Sequence, residues 1–157
     1  MKAQRTLVNL SICWSICCVL AVSSLLESCA KQGEGKAEAA KEVVKAKPDY
    51  YKIKEVKLGA TIDPALSQQG AKVFDVTCTG CHKYDERYVG PALGDVTKRR
   101  TPEYVMNMIL DTETMIDKDD TVRCMLQTYL MKMPNMQVDE KDARSVVEHL
   151  REVAAKK

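Results

Sequence analysis

The chain has 157 residues, 45% apolar and 29% charged, with 24 Lys and Arg against 22 Asp and Glu. That length holds one ordinary domain and a tail. Seven Gly and five Pro exclude a collagen-like or low-complexity chain, and the near balance of charge excludes the basic footprint of a nucleic-acid binder. Aromatic residues make up 5%, with one Trp and one Phe, so side chains alone build a thin core. Seven Cys and eight Met are the unusual counts.

Lys2 and Arg5 open the chain, and an apolar run follows from Leu7 to Leu26. A basic start before an apolar stretch is the layout of a secretory signal. A run of roughly 20 residues is also long enough to span a bilayer as a helix. Leu26-Glu27-Ser28-Cys29 then resembles a bacterial lipobox, with Glu27 where a small or apolar residue is usual. Residues 1–28 therefore read as a lipoprotein signal or an N-terminal anchor, with Cys29 as the lipidation residue. Either reading puts the body of the protein outside the cytoplasm, on the periplasmic side of a bacterial membrane. Cys13, Cys17 and Cys18 read as small apolar members of the run.

Residues 29–57 read as a charged flexible linker. Lys31 to Lys57 holds eight Lys and five acids, a local excess of +3, with no sustained apolar stripe from which to build a core. The domain is expected over 58–157, where 14 basic and 16 acidic residues give a net of −2.

Asp63-Pro64 is a helix start, with Asp as cap and Pro at the first helical position. Leu66, Gly70, Val73 and Phe74 fall on one face of that helix. The run Cys78-Thr79-Gly80-Cys81-His82 follows. Cys-x-x-Cys-His is the attachment signature of c-type haem. Two thiols at this spacing reach the two vinyl groups on one porphyrin edge and form thioethers, and the adjacent His supplies the proximal imidazole to iron. A redox dithiol would want a βαβ context, which is missing. A zinc site would want four ligands; the only other His is His149 and the only other nearby thiol is Cys124, with no second paired motif. One covalent haem c is therefore the expected cofactor, held by Cys78 and Cys81 with His82 as an iron ligand.

An irregular stretch over 83–89 leads into Gly90-Pro91. Thr101-Pro102-Glu103 starts another helix, with Val105, Met106, Ile109 and Leu110 on its apolar face. Arg99 or Arg100, just before it, is a candidate partner for the haem propionates. A further helix is expected from Asp119 to Leu130, with Val122, Met125, Leu126 and Tyr129 on one face and Cys124 as a small residue within it. Met106, Met108, Met115 and Met125 read as core. Asp139 caps a last helix, with Asp142 at the capping-box position and Ala143, Val146, Val147, Leu150 and Ala154 as its stripe.

The sixth iron position is sought in Met131-Lys132-Met133-Pro134-Asn135-Met136, between the last two helices. A Met before Pro is held in extended backbone, which favours Met133. Met136 is the second choice, and Met131 or an open site completes the alternatives.

Ile62 to Val153 resembles a class I, mono-haem bacterial cytochrome c. Gly70, Phe74, the Cys78–His82 run, Gly90-Pro91-Ala92-Leu93, Met133-Pro134 and the final amphipathic helix carry the resemblance. It implies an all-α fold of four to five helices around one covalently bound haem, with the N- and C-terminal helices crossing at Gly70. It implies a hydrogen bond from His82 to the carbonyl of Pro91, and Met133 as the distal ligand. His149 stands where the family places an aromatic residue at the helix crossing. The segment Thr101 to Leu110 further resembles that of cytochromes accompanying nitrous oxide reductase. The expected function is single-electron transfer to a respiratory oxidase or reductase, with redox partners docking transiently at the exposed haem edge. The alternatives are a haem sensor or catalytic domain with a labile sixth ligand, and a haem subunit of a larger complex. No nucleic-acid partner is expected.

Overall fold

Six helices succeed one another in the computed structural model, which describes residues 47–157. They are α1 (Pro64–Thr77), α2 (Val96–Arg99), α3 (Pro102–Leu110), α4 (Thr112–Lys118), α5 (Asp120–Tyr129) and α6 (Glu140–Ala155). No strand occurs among the described residues. No helix among them is long and apolar enough to cross a membrane. The signal or anchor, Cys29 and the linker as far as Ala46 lie outside the described residues.

Side-chain caps set the helix starts. Asp63 accepts from the N–H of Ala65 at 2.9 Å and of Leu66 at 3.1 Å. Thr101 accepts from Tyr104 N at 3.2 Å, and Asp139 from Asp142 N at 2.7 Å. Each satisfies a first-turn donor that no helical carbonyl can reach. Asp142 does not complete a capping box. Its carboxylate instead accepts from Gln69 Nε2 at 2.8 Å and ties α6 to α1.

The helix count exceeds the expected four to five because aspartates divide the middle of the chain. Asp111 closes α3 and caps α4, and Asp119 closes α4 and caps α5. The four-residue α2 is the other addition.

The centre of the fold is the crossing of α1 and α6. Gly70 is buried there, and a Cβ on it would collide with the carbonyl of Ser145. The absent side chain lets the two backbones approach, and Phe74, Val146, Val147 and Leu150 close the core around the contact with Met106 of α3. Each such fully buried side chain contributes about 1.5–3 kcal/mol relative to exposure. A second cluster, Tyr51, Tyr104, Met115 and Val122, joins α3, α4 and α5. Met106 and Met115 are each 1% exposed, so both are core residues.

Residues 47–57 correct the linker boundary. They are held against α3 rather than free. Asn107, buried on α3, accepts from Ile53 N and donates to Ile53 O, both at 2.9 Å. Glu103 accepts from Val56 N at 3.1 Å and pairs with Lys47 at 2.8 Å. Tyr51 inserts into the second cluster at 7% exposure, and Tyr50 donates to Asp119 at 3.1 Å. Buried side chains on α3 thus act as a surrogate strand edge for the strap.

Glu148 of α6 continues this arrangement at 1% exposure. It accepts from Asp63 N at 3.0 Å and pairs with Arg144 and Arg151 at 2.8 Å each. Those two arginines also donate to the carbonyls of Lys57 and Gly59. Burial alone raises the Glu148 pKa, but the Asp63 N–H and the two guanidiniums outweigh it and hold the carboxyl below its usual range.

Candidate cofactor site

The Cys-x-x-Cys-His run is the frayed continuation of α1. Cys78 N and Thr79 N both donate to Phe74 O, at 2.8 and 3.2 Å. Cys81 N and His82 N then both return to Cys78 O, at 3.1 and 2.9 Å. Thr79 Oγ1 also donates back to Asp75 O at 2.6 Å. The turn is therefore fixed by its own backbone. Cys78 and Cys81 are free thiols, each half-buried. Burial pushes the Cys78 thiol pKa up.

The loop after His82 folds back along the turn. Gly90 N donates to Cys81 O at 2.8 Å, Leu93 N to Lys83 O at 2.9 Å and Gly94 N to Tyr84 O at 2.8 Å. This return places Gly90 against the imidazole, where a Cβ would lie 2.5 Å from His82 Cε1. It also sets Pro91 O 2.9 Å from His82 Nδ1. A carbonyl only accepts, so the proton resides on Nδ1 and the lone pair of Nε2 is left for a metal. Burial lowers the His82 pKa and the Pro91 contact opposes it, which favours the neutral, ligating form.

Behind the turn, Phe74 stacks on Tyr84 with centroids 4.9 Å apart and planes at 16°. Tyr84 Oη lies 2.8 Å from His149 Nε2, and the His149 ring is 5.8 Å from that of Phe74. His149 therefore belongs to the helix crossing, as an aromatic packing element. Tyr84 is a member of this stack that the sequence reading does not identify; its place two residues after His82 is the only cue.

Met133 is half-buried, whereas Met131 is 58% and Met136 36% exposed. All three follow Leu130, which ends α5 in the left-handed region at φ 54°. Lys132 reaches Glu113 at 2.9 Å. Arg99 bonds Asp95 at 2.8 Å and the carbonyl of Ala92 at 3.1 Å, and so stays with the loop that carries Pro91. Arg100 is turned away, its guanidinium 5.1 Å from the Tyr104 ring centroid.

These residues fit a covalently attached porphyrin. Two free thiols and a neutral imidazole with its Nε2 lone pair available lie on one turn. Leu93, Ile109, Leu110 and Val138 pack on the core but stay only partly covered, which leaves apolar surface for a flat apolar group. A polydentate protein metal site is a poorer fit, since no group of three His, Cys, Asp or Glu with ligand geometry occurs among the described residues.

Comparison with known proteins agrees with this chemistry. The family model described as Cytochrome c matches residues 67–154, a span containing every site residue named above. The curated proteins give no match. Among solved structures, a cytochrome c from Rhodothermus marinus is 46% identical, with a TM-score of 0.66 over 67% of this chain and 90% of that one. An engineered cytochrome c from the same organism, Rma TDE, is 45% identical over 66% of this chain and 90% of its own, with a TM-score of 0.64. The same engineered protein bound to a carbene intermediate is 46% identical over 66% and 89%, with a TM-score of 0.62.

Proposed function

The chain belongs to the cytochrome c family, whose members bind a covalent c-type haem, and from that premise we propose that it is a single-electron carrier with iron held by His82 and Met133. Cys78 and Cys81 are assigned the two thioether bonds. The observation that carries the reading is the 2.9 Å approach of His82 Nδ1 to Pro91 O beside a pair of free thiols.

Bound haem c supplies a one-electron iron couple. The chain's own residues prepare for it. Pro91 O holds the Nδ1 proton of His82, which fixes the ring orientation and raises its donor strength. Gly90 lets the loop close on the imidazole face. Met133, the half-buried methionine of its segment and the one preceding Pro, would hold the iron through its thioether, a donor that would raise the potential. Arg99, beside the Pro91 loop, is the better placed of the two arginines for a propionate. Leu93 and Ile109 exclude water from the apolar face.

The proposed setting is outside the cytoplasm of a bacterium, with Cys29 lipidation or an uncleaved anchor as the attachment. Redox proteins are the proposed partners, docking briefly at the haem edge. The resemblance of Thr101 to Leu110 nominates nitrous oxide reductase among the acceptors. A heme subunit of a larger respiratory complex would use the same residues.

Carbon monoxide added to the reduced, haem-loaded protein tests the reading by visible absorption. The unaltered protein is expected to show no shift, and Met133→Ala a clear one. A shift in the unaltered protein would instead indicate a sensor or catalytic domain. A shift in Met136→Ala but not Met133→Ala would move the ligand to Met136.

A further inference from the structure

We propose that Arg87 is a positioning residue, a latch that joins the His82 loop to the Met133 segment and sets how often Met133 leaves iron. The proposal rests on the assignment of Met133 above. Arg87 lies in the irregular loop between His82 and Gly90. The base of that loop is closed by the bonds from Gly90 N to Cys81 O at 2.8 Å and from Leu93 N to Lys83 O at 2.9 Å. Its tip reaches the far segment. Arg87 Nη2 donates to the carbonyl of Thr128 at 2.8 Å. The guanidinium carbon also lies 4.4 Å from the ring centroid of Tyr129.

Those two contacts fall on the last residues of α5. Final-turn carbonyls of a helix have no helical donor and carry partial negative charge, so a guanidinium there gains both a hydrogen bond and a favourable field. The next residue, Leu130, turns the chain through φ 54° into the segment of Met131, Met133 and Met136. The point gripped by Arg87 is therefore the hinge from which the distal segment departs. A planar guanidinium can stack on Tyr129 and donate to Thr128 together, whereas an ammonium offers a point charge without the fork. Both contacts are solvent-accessible, so the latch acts on the opening equilibrium of one segment rather than on the fold.

The test uses the full-length, haem-loaded protein. Cyanide binds the oxidised form only after Met133 departs, so its association rate reports the open fraction. Arg87→Ala is expected to raise that rate about fivefold, and Arg87→Lys by less. Amide exchange over 130–138 is expected to rise in parallel, while far-ultraviolet circular dichroism stays unchanged. Tyr129→Leu should reproduce part of the effect, and the double variant should fall short of the sum of the two. Unchanged cyanide association and unchanged exchange in Arg87→Ala, with the unaltered protein closed to carbon monoxide, would overturn the latch alone. An unaltered protein that binds carbon monoxide at once would overturn the Met133 assignment and, with it, the claim on ligand access. Additive effects of Arg87→Ala and Tyr129→Leu would overturn the joint action of the two residues.

Discussion

The carbonyl of Ser145 occupies the space that a side chain on Gly70 would need. No rotamer change relieves such a clash, because the obstacle is backbone on a neighbouring helix. Gly70→Ala is therefore expected to push α1 and α6 apart and to cost about 2–3 kcal/mol. Urea unfolding of the haem-loaded protein measures this. A midpoint equal to that of the unaltered protein would show that the crossing does not depend on this contact.

Gly90 meets the imidazole of His82 in the same manner, with a Cβ position 2.5 Å from Cε1. Here the obstacle is a ring on a side chain, so the ring moves and the fold stays. Gly90→Ala is expected to leave helix content intact while weakening the bond from His82 to Pro91. A weaker bond makes the imidazole a poorer donor and shifts the couple toward reduced iron. Potentiometric titration should show a rise, on a scale where a tenfold change in a one-electron constant is about 59 mV. A fall, or no change, would count against the orienting role of Pro91.

Glu148 offers a pH signature. Its folded pKa is depressed, because the Asp63 N–H, Arg144 and Arg151 outweigh the opposing effect of burial. A depressed carboxyl stabilises the fold above its unfolded pKa, about 4.3. That contribution is lost as pH falls through the folded value. Glu148→Gln is expected to flatten the acid limb of the stability profile and to lower stability at neutral pH by about 1–3 kcal/mol, since the two partly buried arginines lose their carboxylate but keep the carbonyls of Lys57 and Gly59. Urea midpoints from neutral pH down to about pH 3 decide it; parallel acid limbs for the two proteins would exclude this carboxylate as the source.

Asn107 carries the strap. It makes hydrogen bonds to Ile53 N, Ile53 O and Glu103 O, at 2.9, 2.9 and 2.8 Å. Asn107→Ala removes all three, at about 1 kcal/mol apiece. Amide exchange at Ile53 and Val56 should accelerate well before that of α1 and α6. Uniform acceleration across the domain would show instead that the strap and the core open together.

Much of the frame was legible along the chain. Asp63, Thr101 and Asp139 announce helix starts because a cap needs only its own next three residues. The Gly70 and Phe74 face, and the buried Met106 and Met115, follow from helical spacing alone. Glu103, Asn107 and Glu148 were not legible as buried residues. Each looks like the polar face of an amphipathic helix, and only its partners far away in sequence show otherwise: Glu148 meets Asp63, 85 residues earlier. The strap was missed for the same reason, since its apolar content is slight and its donors are satisfied by side chains on α3. In the site, the Cys78–His82 run was readable because its chemistry is local. Tyr84 and Arg87 act across space and left no pattern.

The helix that Phe74 packs against, α6, comes last among the described helices. A chain emerging from its N-terminal side therefore has no mate for α1 until α2 to α5 have been made. Until then the hydrophobic face of α1 lies open and the thiols of Cys78 and Cys81 stand at the end of an unpaired helix. Closure of the domain is delayed by its own topology, which leaves its attachment turn accessible until α6 has been made.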